Sequence, residues 1–169
     1  MRALATDRQV GRWIAGFRVL PVEFDRCFKV LRPALRESSP DALICFGLNA
    51  TASAMELETV ARNRDLLRGR DRKVVCRTII RNAPARLSTR LPVRSIARSL
   101  RRTGYRCAYS KDAGGYVCNN LFFHVVRHCP RGMPCGFIHI PAIGGKVWTR
   151  ARLVGAGRLI VRAVAESLP

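Results

Sequence analysis

Short apolar runs alternate along the chain with stretches whose apolar positions recur at helical spacing. Runs at 19–22, 42–46, 73–79, 105–110 and 136–140 are β-branched or apolar and read as strands. Between them, positions 24, 27, 28, 31, 34 and 35 form an apolar stripe over 24–37, with Pro33 inside it. A proline there predicts a kinked or shortened helix. The segment 92–102 opens with Pro92, keeps Val93, Ile96, Ala97 and Leu100 on one face and stops at Gly104. Its other face carries Arg94, Arg98, Arg101 and Arg102, most simply a solvated face. Two more helices are expected over about 117–128 and 150–167. The stretch 53–63 stays open: Ser53-Ala54-Met55-Glu56 fits a capping box, and 58–63 fits extended chain equally well. Strands alternating with helices, without repeats or a linker, predict one α/β sandwich domain over 1–169.

Composition narrows the class. A chain of 169 residues, 48% apolar and 25% charged, can bury a real core and is not a disordered polymer. No stretch reaches the ~18 uninterrupted apolar residues of a membrane helix. Arg2, Arg8, Arg12 and Arg18 precede Pro21 without the apolar run of a secretory signal, so a cytoplasmic location is expected. Seven cysteines, an odd number without paired spacing, agree with a reducing compartment.

The charge is the oddity. Lys and Arg number 31 against 11 Asp and Glu, leaving +20, and all but four of the basic residues are Arg. Such a balance permits an anionic partner without establishing one. The basic residues are dispersed, and the densest window, 68–73, holds no aromatic for stacking on bases. Nucleic acid is therefore not the expected partner, and an Arg-rich coding preference spread over the surface accounts for the excess.

The stretch Asp112-Ala113-Gly114-Gly115-Tyr116-Val117-Cys118-Asn119 carries the first chemical signal. A strand ends, a glycine pair turns the chain and a helix begins near Cys118, the layout of a nucleophile elbow with a thiol in place of a hydroxyl. A thiol at a helix N-terminus meets unpaired N–H groups and the positive end of the helix dipole, which favour thiolate and can hold an oxyanion. Such a thiolate wants an imidazole. Of the three histidines, His124 and His128 lie further along the same helix, away from its start, whereas His139 ends an apolar strand.

These residues resemble a known family. Tyr116-Val117-Cys118-Asn119, followed by Gly136-Phe137-Ile138-His139-Ile140-Pro141, is similar to pyroglutamyl-peptidase type I, cysteine peptidases that remove N-terminal pyroglutamate from peptides. The resemblance runs from about Val19 to Pro141 and implies Cys118 as nucleophile and His139 as base. It implies Glu58, in Glu58-Thr59-Val60-Ala61-Arg62-Asn63, as the residue orienting the base. Arg68 falls at the family's spacing for an active-site arginine, while Tyr116 and Val117 become candidates for contact with the lactam ring. The implied fold is a three-layer α/β/α sandwich with a mixed, mostly parallel sheet. Met1 falls after the family's first strand and its Gly-Phe-x-Pro-Phe-Gly loop, so that strand is expected to be missing. Ala50-Thr51-Ala52 stands where the family has Gly-Gly-Arg, and the proline of the family's next motif is absent from 65–71. No metal or organic cofactor is implied, the partners are peptides with N-terminal pyroglutamate, no membrane is involved, and an oligomer is compatible with the chain.

Two other readings stand beside this one. The residues of the family site could persist in an inactive relative that serves as an interaction module. Alternatively the chain could be a basic nucleic-acid-binding protein, in which Cys118, His124, His128, Cys129, Cys135 and His139, crowded into 22 positions, hold zinc, although no CxxC pair is present.

Overall fold

The computed structural model describes residues 1–68, 74–144 and 147–169, apart from the side chains of Arg2 and Arg68. Its centre is a four-stranded sheet of β1 (Leu43–Asn49), β8 (Cys135–Pro141), β2 (Met55–Glu58) and β7 (Cys107–Ser110), in that order. β1 runs parallel to β8 and β2 parallel to β7, while β2 and β8 are antiparallel. The sheet is mixed and mostly parallel, as expected. Two small antiparallel pairs flank it: β3 (Val60–Arg62) with β6 (Arg86–Ser88), and β4 (Asp65–Arg68) with β5 (Val74–Arg77).

Alternation along the strands divides the apolar residues between two cores. On one face, Phe137 and Cys45 pack with α1 (Arg26–Ser38) and α3 (Val117–His128). On the other, Ile138, Met55 and Leu57 pack with α2 (Val93–Arg102) and α4 (Arg150–Ala165). Helices on both faces of one sheet make three layers. This assigns the remaining side chains of β2 and β8: Glu58 alternates with Leu57, and His139 with Ile138, so both lie on the α3 face. The N-terminal segment adds a small third cluster in which Leu4 and Val10 cover Val161 of α4.

Several expectations changed in detail. The run at 19–22 is not a strand; Val19 and Val22 are exposed, and Pro21 offers no N–H to a neighbouring strand. The open stretch 53–63 resolves as extended chain, β2 and β3, because Met55, Leu57 and Ala61 are needed in the two cores. Pro33 does not shorten α1, which runs through it to Ser38. Pro33 and Lys29 both face solvent, so water can take the carbonyl that the proline leaves unbonded. β4 and β6 carry too few residues to announce themselves by period. Lys73, the expected start of β5, lies outside the described residues, as does most of the basic window 68–73. Among the described residues no helix is long and apolar enough to cross a membrane.

Candidate active site

Three elements deliver three side chains to one place on the α3 face. Cys118 is the second residue of α3, Glu58 the last of β2, and His139 lies within β8. In the antiparallel β2–β8 register, Glu56 stands opposite His139 and Leu57 opposite Ile138, which sets Glu58 diagonal to the histidine. His139 Nδ1 lies 2.7 Å from Glu58 Oε1, with both side chains buried. A carboxylate only accepts, so Nδ1 carries the proton and donates it to Glu58, leaving Nε2 for the other neighbour. That neighbour is the Cys118 thiol, in hydrogen-bonding reach of the ring. Burial alone would lower the imidazole pKa; hydrogen bonds to Cys118 and Glu58, with their charges, outweigh it and raise the pKa to about 9.

The floor beneath the thiol is Gly47. It pairs with His139 in the parallel β1–β8 register, and a Cβ built on it would fall 2.6 Å from Phe137 Cζ and 3.1 Å from Cys118 Sγ. The Phe137 ring in turn lies 5.0 Å from that of His139. The start of α3 is fastened by Asn119, which is wholly buried. Its Oδ1 accepts from the Arg62 amide at 2.9 Å, and its Nδ2 donates to the carbonyls of Arg62 and Arg64 at 2.9 and 2.8 Å. The helix therefore meets β3 with its first turn pinned, and Cys118 stands one residue earlier. Asn120 N–H is the first to close on a helical carbonyl, that of Tyr116, so the preceding amides point out of the helix end.

Beside the elbow lies an apolar cavity of about 620 Å³, lined by Phe24, Leu66, Leu67, Val74, Gly115 and Tyr116. Tyr116 is exposed and meets Phe24 edge-on, ring centroids 5.1 Å apart. Val117, in contrast, is buried in the α1/α3 core and does not line this cavity. Arg68 closes β4, but its side chain lies outside the described residues.

The sequence as a whole matches the family described as pyroglutamyl peptidase over residues 3–165. The chain belongs to the pyroglutamyl peptidase family. Among curated relatives, the pyrrolidone-carboxylate peptidase of Gloeobacter violaceus is 37% identical over 143 residues, covering 82% of this chain and 69% of that protein. That of Levilactobacillus brevis is 34% identical over 159 residues, covering 88% of this chain and 78% of its own length. Among solved structures, pyrrolidone carboxyl peptidase from Pyrococcus furiosus superimposes with a TM-score of 0.82 at 26% identity, covering 97% of this chain and 91% of that one. Pyroglutamyl peptidase I from Bacillus amyloliquefaciens gives 0.80 at 26% identity, covering 94% and 87%.

Within this pyroglutamyl peptidase fold, the six residues of the zinc reading do not converge. His124 and His128 lie toward the far end of α3, the first stacked on and the second tilted against Phe28 of α1, at centroid distances of 4.9 and 5.0 Å. Ten residues of helix set His128 about 15 Å from Cys118. Cys129 and Cys135 are packed in the core. The group that does converge among the described residues is Glu56, Glu58 and His139, whose ligand atoms all lie within 4.8 Å of one another.

Sequence reasoning missed a polar network behind the cavity. Asp65, fully buried, accepts from Arg77 Nη2 at 2.6 Å and Asn120 Nδ2 at 3.0 Å. Asp25, in a left-handed conformation with φ 59°, is held by the same two residues and lies 3.5 Å from His124 Nε2. Burial tends to raise the Asp25 pKa, but the Asn120 amide, the Arg77 guanidinium and His124 more than offset it and hold it below its usual range. The network fixes Phe24, the neighbour of Asp25, against Tyr116. No spacing in the sequence announces it, because its members come from four separate segments.

Proposed function

We propose that this chain is a cysteine peptidase that removes N-terminal pyroglutamate from peptides, with Cys118 as nucleophile, His139 as base and acid, and Glu58 as the residue that orients His139. The observation that carries this reading is the position of His139, bonded through Nδ1 to Glu58 and facing the Cys118 thiol at the start of α3. With Nδ1 committed to Glu58, Nε2 holds the proton given up by the Cys118 thiol while Sγ attacks the carbonyl carbon that follows the lactam ring. The carbonyl oxygen, now negative, faces the outward-pointing amides at the start of α3. Collapse of the intermediate breaks the C–N bond, and the leaving amine takes its proton from Nε2. Water, deprotonated by His139, then releases pyroglutamate from the thioester.

The apolar cavity beside Gly115 and Tyr116 gives the small, uncharged lactam a surface that a free α-amino group would find costly to enter. In this reading Tyr116 contacts the ring, Val117 shapes the wall from behind through the core, and Arg68 is assigned to the oxyanion on its spacing from Glu58 alone. Seven free cysteines suit a reducing, cytoplasmic setting in which the thiol of Cys118 stays available.

The test is release of a fluorophore from a pyroglutamyl amide by purified protein in reducing buffer, beside Cys118→Ser. Turnover by the parent and none by the variant is expected. Silence from folded parent protein would overturn the peptidase reading and favour a binding role for the same pocket.

A further inference from the structure

The convergence of Glu56, Glu58 and His139 is more than the peptidase reading uses. That reading employs one carboxylate oxygen, Glu58 Oε1. Glu58 is 1% exposed, yet its second oxygen, Oε2, is buried and accepts no hydrogen bond among the described residues. A buried carboxylate oxygen left without a partner is costly and points to a ligand that supplies positive charge or a donor.

A second carboxylate is aimed at the same place. Glu56 stands directly opposite His139 across β2 and β8, and its Oε2 accepts from Asn49 Nδ2 at 2.9 Å. The Asn49 amide is itself oriented, since its Oδ1 accepts from the backbone and hydroxyl of Thr51 at 3.2 and 2.8 Å. A ligand carboxylate fixed by an amide that is fixed in turn is the supporting shell that metal sites use. In a chain with 31 basic and only 11 acidic residues, two of those acids lie beside one imidazole.

We infer that Glu56, Glu58 and His139 Nδ1 form a site for a divalent transition-metal cation of the zinc type. One imidazole nitrogen and two carboxylates suit Zn²⁺, Co²⁺ or Mn²⁺ better than Ca²⁺ or Mg²⁺, which prefer all-oxygen shells. Two carboxylates also match the charge of a divalent ion. Bonds of about 2.0–2.2 Å in a tetrahedral shell put ligand atoms roughly 3.4 Å apart. From atoms within 4.8 Å of one another, Glu56 must close slightly and the 2.7 Å His139–Glu58 contact must open slightly. The ion takes the place of the Nδ1 proton, which leaves to solvent, and water completes its shell. Glu56, half-buried, is the side from which the ion enters.

The consequence rests on the peptidase reading: with the metal on Nδ1, the His139–Glu58 hydrogen bond is gone and turnover stops reversibly. Binding itself does not depend on that reading, and the experiment separates the two. Co²⁺ is titrated into Cys118→Ala protein, which removes the nearest sulfur, and visible absorption is followed. Expected are d–d bands of nitrogen and oxygen ligation without a thiolate charge-transfer band, and at least a tenfold weaker affinity when Glu56→Gln is added to that background. Circular dichroism establishes that the double variant is folded. Absence of such bands, or equal affinity with and without Glu56→Gln, overturns the site. In the parent protein, Co²⁺ is expected to suppress release from the pyroglutamyl amide and a chelator to restore it. Site-specific binding with undiminished turnover overturns the inhibitory consequence alone.

Discussion

Glu58 Oε1 and His139 Nδ1 lie 2.7 Å apart at the junction of two antiparallel strands, both buried, two residues off direct opposition. The contact commits one face of the imidazole and turns the other toward Cys118. Glu58→Gln keeps an accepting oxygen for Nδ1–H but removes the charge that stabilises the imidazolium. We expect an unchanged fold and a fall in kcat of about 10²-fold or more on a pyroglutamyl amide. Unaltered kcat in folded variant would remove Glu58 from the mechanism.

Cys118 is distinguished from the other thiols by its place at the start of α3. Cys118→Ala abolishes turnover and leaves the fold intact, while Cys107→Ala, whose sulfur donates to the Ala97 carbonyl between β7 and α2 at the edge of the second core, leaves turnover largely as it was. Steady-state kinetics on both variants decide it; equal loss from the two would undo the assignment.

Gly47 leaves no room for a methyl group. Its Cβ would press on the Phe137 ring, which is enclosed by Phe122 and His139, and on the Cys118 sulfur. Gly47→Ala is expected to cost about 1–3 kcal/mol of stability through overpacking. It should lower kcat by roughly 10²-fold through displacement of His139 or Cys118. Urea unfolding and kinetics on the same preparation separate the two effects, and a variant with normal kcat would show that Phe137 yields without moving the histidine.

Asn119 satisfies three backbone groups of the segment that follows Glu58. Asn119→Ala leaves them without partners, at a cost of roughly 3 kcal/mol. For a chain of this size that corresponds to a Tm lowered by about 6–12 °C. Asn119→Asp is expected to be no better, because a carboxylate cannot donate to the Arg62 and Arg64 carbonyls. A melting temperature close to the parent's in both variants would contradict the clamp.

Acid should loosen the cavity wall. Asp25 has a lowered pKa in the fold, so its contribution is complete above the unfolded value of about 4 and is lost as pH falls through the folded value. His124, whose pKa is also lowered, chiefly by burial, adds its own loss as pH drops below about 6.5. Arg77 and Asn120 face Asp25 from β5 and α3, and buried Asp65 shares both partners. Between pH 5 and pH 3 the urea midpoint of Asp25→Asn is expected to fall less than that of the parent. Parallel decline would mean that Asp25 is not coupled to the fold.

How much of this was legible in the chain depends on distance along it. The helix at 117–128 was readable to the residue, because Gly114-Gly115 and the apolar positions behind Cys118 are local signals. Residues 55–62 were ambiguous alone, since four-residue strands have no room for a period, and their extended state follows from filling both cores. Phe24 reads as part of a helical stripe, whereas it precedes α1 and turns toward Tyr116. Cys118 and His139 were singled out by the elbow layout and by the end of an apolar strand, and then by family-like motifs; Glu58 came from the motif alone. Glu56 and Gly47 carried no such signal, for their importance comes from strand register.

The sequence by itself determined the alternation of strands and helices, the elbow before α3, the charge excess and membership in a recognisable family, because each is written in neighbouring residues or in composition. Only the tertiary structure decided that β2 and β8 are antiparallel neighbours, and so that Glu58 and Glu56 both reach His139. It alone set Gly47 beneath the thiol and joined Asp25, Asp65, Arg77 and Asn120 into one network. Strand order and register are chosen by the simultaneous burial of two apolar cores, and that competition is settled between segments far apart in the chain.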